Sequence, residues 1–478
     1  MNITVYNKIL VGMLSLLVIS LAGIAAWQQQ PLWIFIPALL LGAYLLLQYP
    51  EVLFYVLVGS IPWSLEYHFS NALGTDLPDE PLMLLAAFAA LIMVISHRKS
   101  LAAKSVPLLL FLVGAQLSWT FVTVLLSTGV FISLKYFLAK SWYLLAFFVL
   151  PLFLFNDPKV IRRTGIVLAL SMFLAVLFVL YKHSAFGFSF EKVNTALEPF
   201  YRNHVNYSAL LVCTIPIVLA GLRISRKNRL WLVAAGLVML AALYLSYSRG
   251  AWLALIIGMI SYGLLQQKWM VNAFVLFIGL SIGSILWLQH NDRYLQYAPQ
   301  YSTTIFHTNF EEHLVATYQM KDLSTAERYF RWIGGARMVK DSWLTGLGPN
   351  TFYDNYKPYT IPAFKTYVSK NEEHSTVHNY FLLMLIEQGA MGLLLFLATI
   401  IIAFREAQVI YHRTTDPFWK STIAAIVAIL AMICTVNFLS DLIESDKVGP
   451  LFYLCLAILI IAHKRTKTDV PMKVKVNL

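Results

Sequence analysis

Apolar stretches long enough to cross a bilayer recur from one end of the chain to the other. They fall near 8–26, 31–48, 50–63, 82–96, 107–126, 136–155, 161–181, 205–222, 230–246, 250–265, 270–288, 379–403, 420–440 and 448–463. The pattern predicts an all-α polytopic membrane protein of about 12–14 transmembrane helices. The stretch near 50–63 is short enough to be re-entrant. Ile9 to Ala26 follows one basic residue, Lys8, and lacks a small-residue cleavage site, so it reads as a retained span rather than a signal peptide. Two longer polar segments interrupt the series, 182–204 and 289–377, and loops as long as the second are usually functional or disordered.

Composition agrees with that pattern: 59% of residues are hydrophobic and 13% charged. The formal charge of +12 raises the question of nucleic acid, and its distribution answers it. With the N-terminus in the cytoplasm, the inner segments carry 20 Lys and Arg against 5 acids, and the outer segments 15 against 18. The whole excess is inside, as the positive-inside rule requires, which places both termini in the cytoplasm and argues against a nucleic-acid partner. The organisation is then N-terminal transmembrane helices over 1–204, further helices over 205–288, a large outer loop over 289–377, C-terminal helices over 378–463 and a short basic tail over 464–478. Cys213, Cys434 and Cys455 all fall in apolar spans and read as packing residues. No internal repeat is evident, which counts against many transporter folds.

The outer loop carries many aromatics, and Ser324-x-x-Glu327 reads as a capping box. A helix is expected from about Thr325 to Ser342, stopped by Thr345-Gly346-Leu347-Gly348-Pro349-Asn350. Arg328, Arg331 and Trp332 share one face of it by their spacing. Two readings stay open there: guanidinium forks for a pyrophosphate with a ring for a sugar, or a solvated amphipathic helix with its Trp in a small core. Ser248-Arg249-Gly250 is a tight outer turn between two spans, where Arg249 meets either lipid phosphate or a substrate phosphate. Arg202 and His204 close the 182–204 loop on the same side.

His378-Asn379 begins an apolar helix that continues to Gly389 and Gly392. At 100° per residue both glycines fall within about 40° of the histidine, ~16 Å deeper. The histidine would stand at the rim above a small-residue packing lane; the plainer reading is an interfacial histidine on a generic small-xxx-small helix. Glu387 lies on the opposite face and would partner another span. Lys140 reads as a snorkelling lysine, and Asp441, Glu444 and Asp446 as a solvated acidic turn. No phosphate-cradling G-x-x-x-x-G-K-[ST], no H-E-x-x-H and no Asp-rich calcium loop occurs.

Taken in order, Ser248-Arg249-Gly250, Arg328-x-x-x-Trp332 running to Thr345-Gly346-x-Gly348-Pro349-Asn350, and His378-Asn379-x9-Gly389-x-x-Gly392 resemble the O-antigen ligase and polymerase superfamily, closest to the ligases. The resemblance covers roughly residues 200–400. It implies a metal-independent glycosyltransferase, without cofactor, in the bacterial inner membrane with its active site facing the periplasm. The implied donor is a glycan on undecaprenyl pyrophosphate and the implied acceptor lipid A-core. A polymerase would use another lipid-linked repeat unit, and a related group transfers glycans to protein. Carried over by motif, Arg249 and Arg328 bind the pyrophosphate and His378 sits beside the reacting hydroxyl. Arg202, His204, Arg331, Trp332 and Asn379 are further substrate-contact candidates. A reading of another class, a lipid-linked glycan flippase, predicts several charged residues deep within spans, and few are present.

Overall fold

A computed structural model describes residues 42–70, 73–98, 106–225, 227–297, 315, 323–360 and 376–468. The expected span near 8–26 lies outside the described residues, as does that near 31–48 up to residue 41. Among the described residues ten helices are long and apolar enough to cross a membrane, or eleven with one bent pair. The ten correspond to the stretches expected at 82–96, 107–126, 136–155, 161–181, 205–222, 250–265, 270–288, 379–403, 420–440 and 448–463. The stretch near 230–246 forms a shorter helix, Arg229–Leu245. The bent pair joins Gly42–Gln48 to Pro50–Trp63 at 117°, with the proline starting the second arm. The chain is an all-α polytopic membrane protein, and among the described residues one hairpin is the exception. Phe131, Trp231, Leu276 and many other large apolar side chains face outward, a surface that lipid rather than water would cover.

Local chemistry starts these helices. Asp157, Asn203, Asn379 and Asp416 each stand at an N-cap and accept hydrogen bonds from the first-turn amides. Pro158 and Pro417 follow two of those caps directly, where a missing N–H costs nothing. Helix Pro417–Phe438 runs through the middle of the bundle, with Arg249–Gln266, His204–Ile224 and Tyr380–Arg413 packed around it. It carries fourteen buried residues, nearly all of them aliphatic or small.

The hairpin departs from the all-helical expectation. Strands Leu65–Ser70 and Leu73–Leu77 pair antiparallel, with Glu66 opposite Asp76. It lies beside the turn that joins Pro417–Phe438 to Gly449–Thr468: Ser64 donates to Asp446 at 3.1 Å, and Lys447 donates to the carbonyls of Ile61 and Ser64 at 2.9 and 3.0 Å.

That same turn corrects two further expectations. Lys140 does not snorkel; its ammonium sits 3.1 Å from Glu444, with the side chains 12% and 21% exposed, and Tyr136 donates to the same carboxylate at 2.9 Å. The acidic turn is therefore not solvated but tied into the bundle. Breaking such a pair from one side leaves a buried charge uncompensated. Glu444→Gln is expected to destabilise the fold by about 3–5 kcal/mol, read as a lower unfolding temperature in detergent. The double change Lys140→Met with Glu444→Leu recovers most of the loss. An unchanged unfolding temperature for Glu444→Gln would show that the pair holds nothing together.

Candidate functional site

The expected loop helix is present as Leu323–Ser342. Ser324 lies inside it rather than ahead of it as a cap, and its hydroxyl accepts from Arg328 Nη1 at 3.4 Å. Gly334 and Gly335 decide where this helix lies. A Cβ on Gly335 would meet Ile386 at 2.8 Å and Val377 at 3.1 Å, and one on Gly334 would meet the Tyr356 ring at 2.7 Å. Their missing side chains let the helix press against the start of Tyr380–Arg413. One turn earlier, buried Arg331 then reaches the Thr376 carbonyl, donating from Nη1 at 2.8 Å.

Thr376 is a junction. Its carbonyl takes Arg331, its hydroxyl donates to Asp441 Oδ2 at 2.8 Å, and the same oxygen accepts the His378 amide at 3.3 Å. His378 itself is outside the helix, in a left-handed conformation with φ 51°. Asn379 caps the helix through the Leu382 amide at 3.0 Å, and the Tyr380 amide donates to the Ser440 carbonyl at 2.9 Å. His378 Nδ1 is thereby 4.0 Å from Asp441 Oδ1. Burial, then the positive charges of Arg331 and Arg328, push the His378 imidazole down to about 3, so the ring is neutral at ordinary pH. Burial pushes the Asp441 carboxyl up, with Glu444 adding to the rise and the Thr376 hydroxyl opposing it. Asp441 is the residue that sequence reasoning missed; its position shortly after a predicted span was visible, but not the turn it would face.

Gly389 and Gly392 also need correction. The helical arithmetic that put them under His378 assumed an unbroken helix starting at the histidine. The helix starts at Tyr380 and breaks at Gly389, with φ 67° and ψ −171°, a conformation essentially reserved for glycine. The segment after Ser342 fills the break. Leu347 and Gly348 amides donate to the carbonyls of Ile386 and Glu387 at 2.9 Å each, and the Ala390 amide donates to the Trp343 carbonyl at 2.8 Å. Trp119 Nε1 donates to the Gln388 carbonyl at 2.8 Å, so the groups freed by the break are paired. Glu387 is buried and accepts from the Phe352 amide at 3.2 Å, a partner in the loop rather than in another span. The glycines thus make room within the break rather than for a neighbouring helix face: Gly389 for the Leu344 carbonyl, Gly392 for the Gln388 side chain.

The other candidates divide. Gly250 lies against Leu439, where an added Cβ would be 3.5 Å from Cδ1. That contact sets the Ser248-Arg249-Gly250 turn beside the 439–441 segment that holds Tyr380 and faces His378. Trp332 packs edge-on against Phe438 with centroids 6.0 Å apart, so its ring belongs to the joint between the loop helix and the bundle. Arg202 is held by Glu66, with Nε to Oε2 at 2.6 Å, and His204 Nδ1 lies 3.1 Å from Asn194. These two stand near the hairpin and are not brought against His378. Among the described residues no three His, Cys, Asp or Glu side chains converge as a metal site.

At one end of the membrane bundle a neutral histidine, with two arginines and a carboxyl near it, is chemically able to take up a proton beside an anion. Residues 234–397 match the O-antigen ligase family. The O-antigen ligase of Salmonella typhimurium strain LT2 is 26% identical over 212 residues, covering 42% of this chain and 47% of that relative. The chain therefore spans about half the length of this curated relative. Both matches support the O-antigen ligase superfamily. The family match contains Arg249, Arg328, Arg331 and His378, while Asp441 and the hairpin lie beyond it.

Proposed function

We propose that this protein is an O-antigen ligase: it transfers a glycan from undecaprenyl pyrophosphate to a sugar hydroxyl of lipid A-core at the periplasmic face of the inner membrane. The observation that carries the reading is the grouping of His378 with Arg328 and Arg331 at one rim, inside the segment that matches the family. Both termini are assigned to the cytoplasm on the charge bias.

The reaction needs little help at the leaving group, because a pyrophosphate departs readily. It needs positive charge where the departing oxygen becomes negative, and Arg249, Arg328 and Arg331 supply it. It needs a base for the attacking hydroxyl, and His378 is neutral. In the proposed step the acceptor oxygen bonds to the anomeric carbon, the bond from that carbon to the phosphate oxygen breaks, and its electron pair leaves with undecaprenyl pyrophosphate. The hydroxyl proton passes to His378. Asp441 faces Nδ1 and steadies the imidazolium that forms. Attack from the side opposite the leaving group inverts the anomeric centre.

This scheme fixes a pH dependence. Burial first, then Arg331 and Arg328, hold His378 low, so its conversion to the inactive imidazolium is postponed to acid pH. Free-enzyme kcat/KM should therefore hold steady through pH 6.5, the ordinary histidine value. Removing one cation raises the histidine, so Arg331→Gln shifts the acid limb of kcat/KM to higher pH. A pH profile in which Arg331→Gln and the unaltered protein share one acid limb would show that Arg331 does not help hold the histidine low, and an acid limb at pH 6.5 in the unaltered protein would contradict the neutral, buried ring.

The test of the whole reading is direct. Purified protein is given undecaprenyl-pyrophosphate glycan with and without lipid A-core. Glycan attached to lipid A-core is the expected product. Longer lipid-linked chains without it would make the protein a polymerase, glycan on an added protein acceptor would make it a protein glycosyltransferase, and no donor consumption would end the transferase reading.

A further inference from the structure

Beside the His378 site lies a cavity of about 230 Å³ that the transfer scheme leaves unused. Its walls come from three distant parts of the chain: the hairpin, the 199–206 segment and the 444–447 turn. Asp441 and Glu444 flank one 3-10 turn, closed by the Glu444 amide on the Asp441 carbonyl at 3.0 Å. At about 2 Å of rise per residue the cavity wall is therefore only ~6 Å along the turn from the carboxyl that faces His378.

The lining is unlike a lipid-facing groove. Asp76 stands opposite Glu66 across the hairpin, and like charges in that register destabilise a hairpin unless something offsets them. Arg202 answers Glu66 with two hydrogen bonds. Nothing among the described residues donates to the Asp76 carboxylate, and the Asn206 amide side chain is likewise without a hydrogen-bond partner there, although both line the cavity. Phe200 adds an aromatic edge, held from behind by Trp63 at 5.1 Å and Phe178 at 5.5 Å between centroids. A carboxylate that only accepts, an amide that donates and accepts, and a fixed ring together suit a ligand with many hydroxyls and an apolar face. Lipid tails and phosphate both fail there, the first for want of apolar wall and the second for the excess of carboxylates.

We infer that this cavity is a saccharide subsite, in which Asp76, Asn206 and Phe200 hold a sugar ring of one substrate while the next ring reaches His378. The inference rests on the transferase reading and adds to it the place where a glycan is gripped. The donor glycan and the acceptor core share that chemistry, and the experiment separates them.

Binding is measured in detergent with two lipid-free probes, the core oligosaccharide and the glycan released from its pyrophosphate. Asp76→Ala with Asn206→Ala is expected to weaken one of them at least about tenfold, and the probe that weakens names the substrate. Gly263→Ala, whose added methyl has nothing within 4 Å, should bind that probe as the unaltered protein does. Phe200→Leu and Asp76→Asn, as milder single changes, carry the test if the double variant does not fold. In turnover, KM for the same substrate rises while kcat changes little. Unaltered protein that binds neither probe, or cavity variants that bind both as before, would overturn the subsite. Protein that binds a probe through this cavity yet transfers nothing would overturn the transferase reading and leave the subsite standing.

Discussion

Replacing His378 with alanine is expected to slow glycan transfer by about 10²- to 10⁴-fold, the range for loss of a positioned general base. The loss should fall on kcat, because the arginines proposed to meet the donor remain. Folding should be unaffected: the imidazole is a third exposed and lies outside the helix, while Asn379 keeps the cap. Asp441→Asn should cost less, since it removes a partner of the imidazolium and not the base. The check is single-turnover transfer with saturating donor, alongside donor binding. Near-normal single-turnover rates for His378→Ala would show that the hydroxyl loses its proton elsewhere.

Gly389→Ala is expected to be severely damaging for so small a substitution. The backbone there sits at φ 67° and ψ −171°, which an alanine adopts only under strain, and the new methyl would fall on the Leu344 carbonyl. Strain and overpacking together amount to about 4 kcal/mol or more. The docked segment from Trp343 to Gly348 would lift out of the break, and the carbonyls of Ile386 and Glu387 would lose their donors. Transfer should fall with stability, although no atom of the reacting groups has changed. Gly263→Ala is the matched control, because nothing lies within 4 Å of its added methyl and the change suits a helix. Unfolding temperatures of the two variants, measured side by side, decide the matter; equal values would mean that the break is not a structural requirement.

The bilayer-spanning elements were legible because length and apolarity alone specify them. The helix expected from about Thr325 to Ser342 was legible from its stop signal, and Leu323–Ser342 ends at the expected residue. What stayed hidden depends on which surfaces meet. Asp441 looked like one more solvated acid, since only folding brings Thr376 and His378 to it. Lys140 looked like a snorkelling side chain because its partner is some three hundred residues away. The Gly389 break was lost for a different reason: a period of 3.6 residues carries no sign of its own interruption, and the glycines that allow the break look like any small-residue stripe. Residues 65–77 lie between two apolar spans, and Gly74 and Asp76 leave the second strand without a β-rich signal. Gly334-Gly335 was the one clue in plain view to the site's assembly, two adjacent small residues on a helix that must lie close to another.

Thr376 gives its carbonyl to the arginine helix, its hydroxyl to Asp441 and the same hydroxyl oxygen to the His378 amide. The proposed anion-binding and proton-accepting halves of the site are therefore not separate instruments. A displacement of this one residue moves both, so perturbations of Arg331 and Asp441 report on a shared hinge point and their free energies do not add. Evolution of such a site toward a new glycan has little freedom here, and change is left to surfaces that the threonine does not touch.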